Sequence, residues 1–315
     1  MGRHCSSPTN CEVMLPRDIT GLIIDQLAAD RQSLYSCSLV GTSWYPRTRK
    51  HLFHQLQLHV CEEAGPTAKL NGLLLLLQAN AALASYILSI RLRFKSPYAP
   101  PRDVIPTDQQ KVATEGSSLP SLLPLLTSLR DVSIHPYCSL NWGDLDSETR
   151  ASIYSCISKV HTIRLHNICN FQVTPLTSYI PLRSLVLHRV SVSLTEIEAP
   201  FPLPCPPPSN PGVRTQALCS LSLHESDTAM RVLLASHEII RDRRQAGFLD
   251  FSRPTAVSLG VCGRNGSSKE GSFVDLGTLV QGFASSLRSL CFDVDESEGG
   301  AKCTQYILDY RGFRS

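Results

Sequence analysis

Hydrophobic residues recur every three or four positions near the N-terminus and every second position in several later segments. The N-terminal set comprises Ile19, Ile23, Leu27, Leu34, Cys37 and Val40. Spacings of three and four place side chains on one face of a helix. The pattern therefore predicts short helices between Glu12 and His54, and Leu22 and Ile24 widen the apolar stripe of the first one.

Residues with strong positional preferences indicate where these helices begin and end. Pro16 fits the first turn of the first helix, because its missing N–H would be unpaired there. Asp30 is placed to cap the second helix, and Gly41 suits its C-terminal end. Thr42 or Ser43 is expected to cap a third helix. Helices of fewer than about 15 residues are marginal alone in water, so these three must pack against one another or against a partner.

A second pattern follows, in which aliphatic residues alternate with polar ones. The leucines from Lys69 to Ile87 predict one further helix, which leads into the strand-like segment SIRLRF. Similar segments then align on LxxLxL, a pattern typical of half-buried strands. Their central residues are Ile90, Val132, Ile163, Leu185, Leu221, Leu290 and, in a weaker seventh segment, Val257. Successive central residues lie between 22 residues (Ile163 to Leu185) and 42 residues (Ile90 to Val132) apart.

A strand with two or three inward aliphatic residues cannot bury them alone, whereas stacked units share a continuous core. The fold class predicted here is α/β: a small three-helix unit followed by an irregular leucine-rich-repeat-like α/β solenoid. The alternative is an ordinary mixed α/β domain. The irregular spacing fits a loose array, and Ile168 and Val190 stand where the common repeat consensus has Asn.

The predicted domains are residues 12–54 and 55–315, and three loops interrupt the second. Two are Pro-rich, near residues 95–120 and 199–214, and the third is the Gly/Ser-rich segment 263–272. The C-terminal YILDYRGFRS follows a strand signal without an obvious polar capping repeat. This ending predicts either an atypical cap or a truncated chain.

Composition narrows the class of protein. The chain has 315 residues, 42% hydrophobic and 18% charged, a balance typical of folded proteins. The 30 Lys and Arg residues against 27 Asp and Glu leave a net charge of +3, which gives no reason to expect nucleic acid or a membrane as partner. The N-terminus lacks the apolar core of a signal peptide, and the longest apolar run, Leu73–Leu77, is too short to span a membrane. An intracellular protein of the cytoplasm or nucleus is expected.

No metal site is predicted from the twelve cysteines, because none stands in a CxxC pair. In a reducing compartment most would be small buried hydrophobic residues. The nearest approach to a ligand cluster comprises Cys156, His161, His166 and Cys169. Its spacing matches no zinc template, and in a strand the two histidines would point to opposite faces.

Catalytic motifs are likewise missing from the sequence. GxSxG, HExxH and GxGxxG do not occur. The segment GSSKEGS resembles a phosphate-binding loop but lacks the GxxxxGK[ST] spacing, so it is interpreted as an exposed turn. The acidic segment DVDESEGG does not have Gly and Glu at the positions that an EF-hand loop requires, so it is expected to be a solvated loop.

The segment LPRDITGLIIDQLAADRQSLYSCSLVGTSWYPRTRKHLF, from Leu15 to Phe53, resembles the F-box, and in particular the F-box-like proteins abundant in mushroom-forming fungi. The resemblance is carried by the ordered pattern LP…I…L…L…LV…W. Gly41 stands where that family often has Cys, and the loop between Leu27 and Leu34 is longer than in the common pattern. The region after the F-box in these proteins commonly forms a leucine-rich-repeat-like fold, and the LxxLxL segments of this chain are similar to it.

The resemblance implies a substrate-recognition subunit of an SCF-type ubiquitin ligase. In that family the F-box binds a Skp adaptor, which is held by a cullin, and the other domain binds the protein substrate. Carried over to the matching positions, the adaptor-binding surface and the small core beneath it comprise Leu15, Pro16, Ile19, Ile23, Ile24, Leu27, Leu34, Leu39, Val40 and Trp44. The resemblance implies no catalytic residue and no cofactor, because such a subunit acts by raising the local concentration of its substrate.

Other hypotheses stay open at this point. The same residues fit equally well a unit whose helices only pack against one another. The chain would then be a non-catalytic interaction scaffold whose repeats bind a partner outside ubiquitylation. An enzyme is the third hypothesis, and it lacks a recognisable nucleophile or metal constellation in the sequence.

Overall fold

The computed structural model describes most of the chain with several gaps. The described residues are 16–60, 64–94, 118–172, 176, 182–192, 218–226, 228–229, 232, 254–262, 288–295 and 304–309. They form two compact units, the first ending at Gln55 and the second beginning at Leu56. Together they make a mixed α/β structure with helices at the N-terminus followed by a largely parallel sheet.

The first unit contains the three predicted helices. They are α1 (Arg17–Gln26), α2 (Arg31–Val40) and α3 (Tyr45–Phe53). The Asp30 carboxylate caps α2 as predicted, accepting hydrogen bonds from the backbone N–H groups of Gln32 and Ser33, both at 3.1 Å. Gly41 ends α2, which confirms that prediction too.

The predicted cap of the third helix is wrong. Trp44 is the N-terminal flanking residue of α3, and it makes no side-chain cap hydrogen bond. Its backbone N–H donates to the Gly41 carbonyl at 3.1 Å, so Thr42 and Ser43 belong to a tight turn rather than to a helix start. Pro46 occupies the first turn of α3, where no N–H is needed.

The other helices and strands begin at Gln55. The helices are α4 (Ala64–Ala79), α5 (Ala81–Tyr86), α6 (Leu119–Leu122) and α7 (Ser147–Ile157). The strands are β1 (Gln55–Val60), β2 (Ser89–Phe94), β3 (Asp131–Ile134), β4 (Leu140–Asn141), β5 (Thr162–Phe171), β6 (Ser184–Val192), β7 (Ser220–His224), β8 (Ala256–Cys262), β9 (Ser289–Asp295) and β10 (Thr304–Asp309).

The strands form one sheet in the order β1-β2-β3-β5-β6-β7-β8-β9-β10, with the short β4 paired to β5. Neighbours from β2 to β9 run parallel, and β10 returns antiparallel to β9. The connections from β2 to β3 and from β3 to β5 contain α6 and α7, which contact each other.

The LxxLxL alignment predicted the strand register correctly. Each central residue pairs with the next across the sheet, in the series Ile90, Val132, Ile163, Leu185, Leu221, Val257 and Leu290. The first six of these residues are at most 2% exposed, because they lie on the buried face of the sheet. Each fully buried aliphatic side chain contributes about 1.5–3 kcal/mol to the free energy of unfolding.

Two predictions are corrected here. The helix expected from Lys69 to Ile87 is two helices, because Asn80 leaves helical geometry (φ −142°, ψ 78°) between α4 and α5. The acidic segment expected to be a loop begins inside a strand, since Asp293 and Asp295 belong to β9, paired with β8 and β10.

Three further predictions concern the loops that interrupt the second domain. The two Pro-rich segments and the Gly/Ser-rich segment lie almost wholly outside the described residues. Within the part of the chain that the structure describes, no helix is long and apolar enough to cross a membrane.

Candidate protein-interaction site

The first unit has a small core made by all three helices. Ile24 of α1, Leu34 of α2 and Leu52 of α3 are buried against one another. The partly buried side chains packed on them are Leu27, Trp44 and Phe53. Four of the residues predicted for the adaptor-binding surface and its underlying core are therefore core residues in whole or part: Ile24, Leu34, Leu27 and Trp44.

Other members of the predicted set are exposed. Leu39 is 85% exposed and Val40 is 67% exposed, at the C-terminal turn of α2. Ile19 and Ile23 of α1 are exposed as well, and so is Pro16 just before it. Leu15 lies outside the described residues. The structure thus divides the set into a buried group and an exposed group, a division that the sequence left open.

Three further exposed apolar residues of the first unit lie outside the predicted set. Leu22 is 64% exposed on α1, one turn from Ile19, and Tyr35 of α2 and Tyr45 of α3 are also exposed. Leu22 had a signal in the sequence, because it lies within the apolar stripe of the first helix. The buried positions of α1 are instead Thr20, Gly21 and Ile24. We define the exposed apolar surface as Ile19, Leu22, Ile23, Leu39 and Val40.

An ion-pair cluster holds α1 to α3. Arg47 Nε donates to Asp25 Oδ1 at 3.0 Å, a second guanidinium nitrogen donates to Oδ2, and His51 Nε2 lies 2.8 Å from Oδ1. The hydrogen bonds from Arg47 and then His51 hold the pKa of Asp25 well below its usual range. Gly21 leaves room for this cluster, because a Cβ atom there would clash with the Arg47 guanidinium.

In the second unit, a row of imidazoles crosses the sheet on the face opposite the core. His166, His188 and His224 are register partners on β5, β6 and β7, and His135 directly follows β3. The ring centroids of His135 and His166 are 3.6 Å apart, and the next two separations are 5.4 and 5.9 Å. The sequence interpretation missed this row. Its signal was a His immediately after the LxxLxL pattern in four segments.

The histidine row lies in a half-buried, positively charged environment. Burial and then the nearby arginines lower the pKa of His135 to about 4. Burial, followed by the neighbouring imidazoles and arginines, lowers the pKa of His166 to about 4. The pKa of His188 is lowered too, mainly by burial. His135 and His166 are therefore neutral at pH 7 and offer N–H and lone-pair groups rather than charge.

Metal ligands are not brought together in the part of either unit that the structure describes. No three His, Cys, Asp or Glu side chains there are placed to hold a metal ion, and Cys156, His161, His166 and Cys169 do not converge. Burial raises the pKa of Cys156 to about 12, so its thiol is a poor nucleophile at neutral pH.

Comparison with known proteins gives no family assignment. No protein-family model matches the chain, and no curated protein sequence is significantly similar to it.

Proposed function

We propose that this chain is the substrate-recognition subunit of an SCF-type ubiquitin ligase. The first unit is an F-box that binds a Skp-family adaptor and, through it, a cullin. The second unit is a leucine-rich-repeat-like domain that binds the protein to be ubiquitylated. The chain supplies no catalytic group in this role, because it acts by holding its substrate beside a ubiquitin-loaded enzyme.

The exposed apolar surface is the observation that carries the proposal. Five large aliphatic side chains face solvent on a unit whose own core contains three buried ones. Apolar groups concentrated in this way mark protein–protein interfaces. Burying Leu39 and Val40 in a partner would stabilise the complex by about 1.5–3 kcal/mol for each side chain. The ordered F-box pattern in the same segment is what names the partner as a Skp-family adaptor.

The sheet supports a repeat-like second unit. Strands β2 to β9 follow one another in chain order, and equivalent residues of the LxxLxL pattern are register partners. Three successive strands also turn at one position, since Asn167, Arg189 and Glu225 have φ values of 52°, 54° and 48°. Solenoids are built from stacked units with a recurring local conformation, so these features support the repeat-like part of the proposal.

The test is co-purification from cells that express the tagged chain with a Skp-family adaptor and a cullin. We expect both partners to be recovered with the wild type and lost with Leu39→Asp combined with Val40→Asp, because two carboxylates would be buried without partners. Leu75→Asp is the matched control, since Leu75 is a 65% exposed leucine of α4 in the second unit. Failure of the wild type to recover the adaptor, or full recovery with the double variant, contradicts the proposal.

A further inference from the structure

Three arginines lie close together on the face of the sheet opposite the core. Arg91 and Arg93 alternate with buried residues on β2, and Arg164 does the same on β5. Ser133 of β3 is the register partner of both Arg91 and Arg164. Strands are about 4.8 Å apart, so the Cα atoms of Arg91 and Arg164 are about 10 Å apart, and Arg93 lies about 7 Å further along β2. We call Arg91, Arg93 and Arg164 the basic face.

No ion pair to the basic face is found within the described residues. The salt bridges found there join Arg47 and His51 to Asp25, and Arg189 to Glu225. The Nε atoms of Arg91 and Arg93 are also shielded from solvent without a hydrogen-bond partner. A half-buried guanidinium with unused donors is costly unless an external acceptor satisfies it.

Neighbouring side chains hold the basic face in place. The Arg93 guanidinium lies 5.4 Å from the centroid of the Tyr137 ring, and the Tyr137 hydroxyl lies 2.9 Å from His59 Nδ1. His135 and His166 border the arginines on the next strands. Asp131, at the start of β3, is the carboxylate nearest along the strands on this face, and no ion pair to it is found among the described residues.

We propose that the basic face binds an Asp- and Glu-rich segment of the protein substrate. The identification of that partner as a substrate rests on the proposed function. Three arginines whose Cα atoms span about 10 Å across the sheet match carboxylates on separate residues of an extended peptide, which rises about 3.3 Å per residue. The planar, five-donor guanidinium favours carboxylate recognition.

Fluorescence anisotropy with the purified full-length chain tests this proposal. The probe is a short fluorescent peptide of alternating Glu and Ser residues, compared with the same peptide carrying Gln in place of Glu. We expect saturable binding of the Glu peptide that weakens as salt is raised, and at least about tenfold weaker binding of the Gln peptide. Equal binding of the two peptides overturns the proposal.

Variants locate the binding on the chain. Arg91→Gln combined with Arg164→Gln should weaken binding of the Glu peptide at least about tenfold. Arg91→Lys combined with Arg164→Lys should retain part of the binding that the Gln variant loses. Arg150→Gln, on α7, is the control and should leave binding unchanged. Unchanged affinity in the Arg91/Arg164 Gln variant overturns the proposal. Tighter binding of a single-stranded oligonucleotide, lost in the same variant, overturns it in favour of a nucleic-acid site.

Each of the two proposals can be rejected without rejecting the other. The Arg91/Arg164 Gln variant should still recover the Skp-family adaptor in co-purification, since it leaves the first unit untouched. Peptide binding without adaptor recovery by the wild type would keep the basic face and reject the ligase role. Adaptor recovery without peptide binding would keep the ligase role and reject peptide binding by the basic face.

Discussion

At the scale of single residues, Leu34 and Leu39 show how one helix contributes both to the core and to the exposed apolar surface. Both are leucines of α2, yet Leu34 is 0% exposed and Leu39 is 85% exposed. Five residues correspond to about 140° around a helix, so the two side chains face different surroundings. The sequence pattern found both as apolar positions of one helix. It could not assign them to core or surface, because that depends on where α1 and α3 pack.

Leu34→Ala and Leu39→Ala should therefore have very different effects on stability. We expect Leu34→Ala to lower the free energy of unfolding by about 2–5 kcal/mol, because it leaves a cavity between three helices. Leu39→Ala should change it by no more than about 0.5 kcal/mol. Urea unfolding followed by circular dichroism measures both. A loss in Leu39→Ala comparable to that in Leu34→Ala would mean that Leu39 packs inside the chain.

The Asp25 cluster predicts a dependence on acid. The pKa of Asp25 is lower in the folded chain than in the unfolded one, where it is about 3.9. Its pairing with Arg47 and His51 therefore stabilises the fold above about pH 4 and is lost as the pH falls further. Asp25→Asn should lower the unfolding temperature of the first unit at pH 7, and the difference from the wild type should shrink at pH 3. A difference that is independent of pH would exclude the ion pair as its cause.

At the scale of helices and strands, the alternation of aliphatic and polar residues predicted the strands better than the elements that connect them. The predicted central residue of each LxxLxL strand from Ile90 to Leu290 was correct to the residue, because burial on one face imposes a period of two; the short β4 between them was not predicted. The sequence interpretation missed α6, α7 and β1. These are short or lie in segments whose burial comes from other elements, as for α7, which contacts α6 and buries Ile153 and Ile157. Such tertiary contacts are not encoded in a local period.

The histidine row gives the sheet its own dependence on pH. An imidazole in the unfolded chain has a pKa of about 6.5, whereas the pKa values of His135 and His166 in the fold are about 4. Between these values the unfolded chain binds more protons, so the free energy of unfolding falls as the pH is lowered. The charged and titratable groups that face the two imidazoles are Arg91, Arg93, Arg164 and His188.

Urea unfolding of the second unit at pH 7 and pH 5 checks this prediction. His135→Gln combined with His166→Gln should lose less stability over that range than the wild type, because two groups with lowered pKa values are removed. His54→Gln is a suitable control, as His54 is an exposed histidine outside the row. An equal loss in the wild type and the double variant would show that other groups cause the pH dependence.

At the scale of the whole molecule, the chain combines a small helical unit with a larger α/β unit, and each offers a different surface. The exposed apolar surface of the first unit could be predicted in part, since Ile19, Ile23, Leu39 and Val40 belong to the F-box pattern. The basic face could not, because Arg91 and Arg164 are distant in the sequence and adjoin only through Ser133. Residues brought together by strand pairing become visible once the register is known.

The central claim is that the exposed apolar surface binds a Skp-family adaptor. Isothermal titration calorimetry of the purified chain with a purified adaptor tests it most directly. We predict one-to-one binding by the wild type, weakened roughly 100-fold by Leu39→Ala combined with Val40→Ala, since about 3 kcal/mol of apolar burial is removed. Absence of binding by the wild type, or an unchanged dissociation constant in a correctly folded double variant, would contradict the claim.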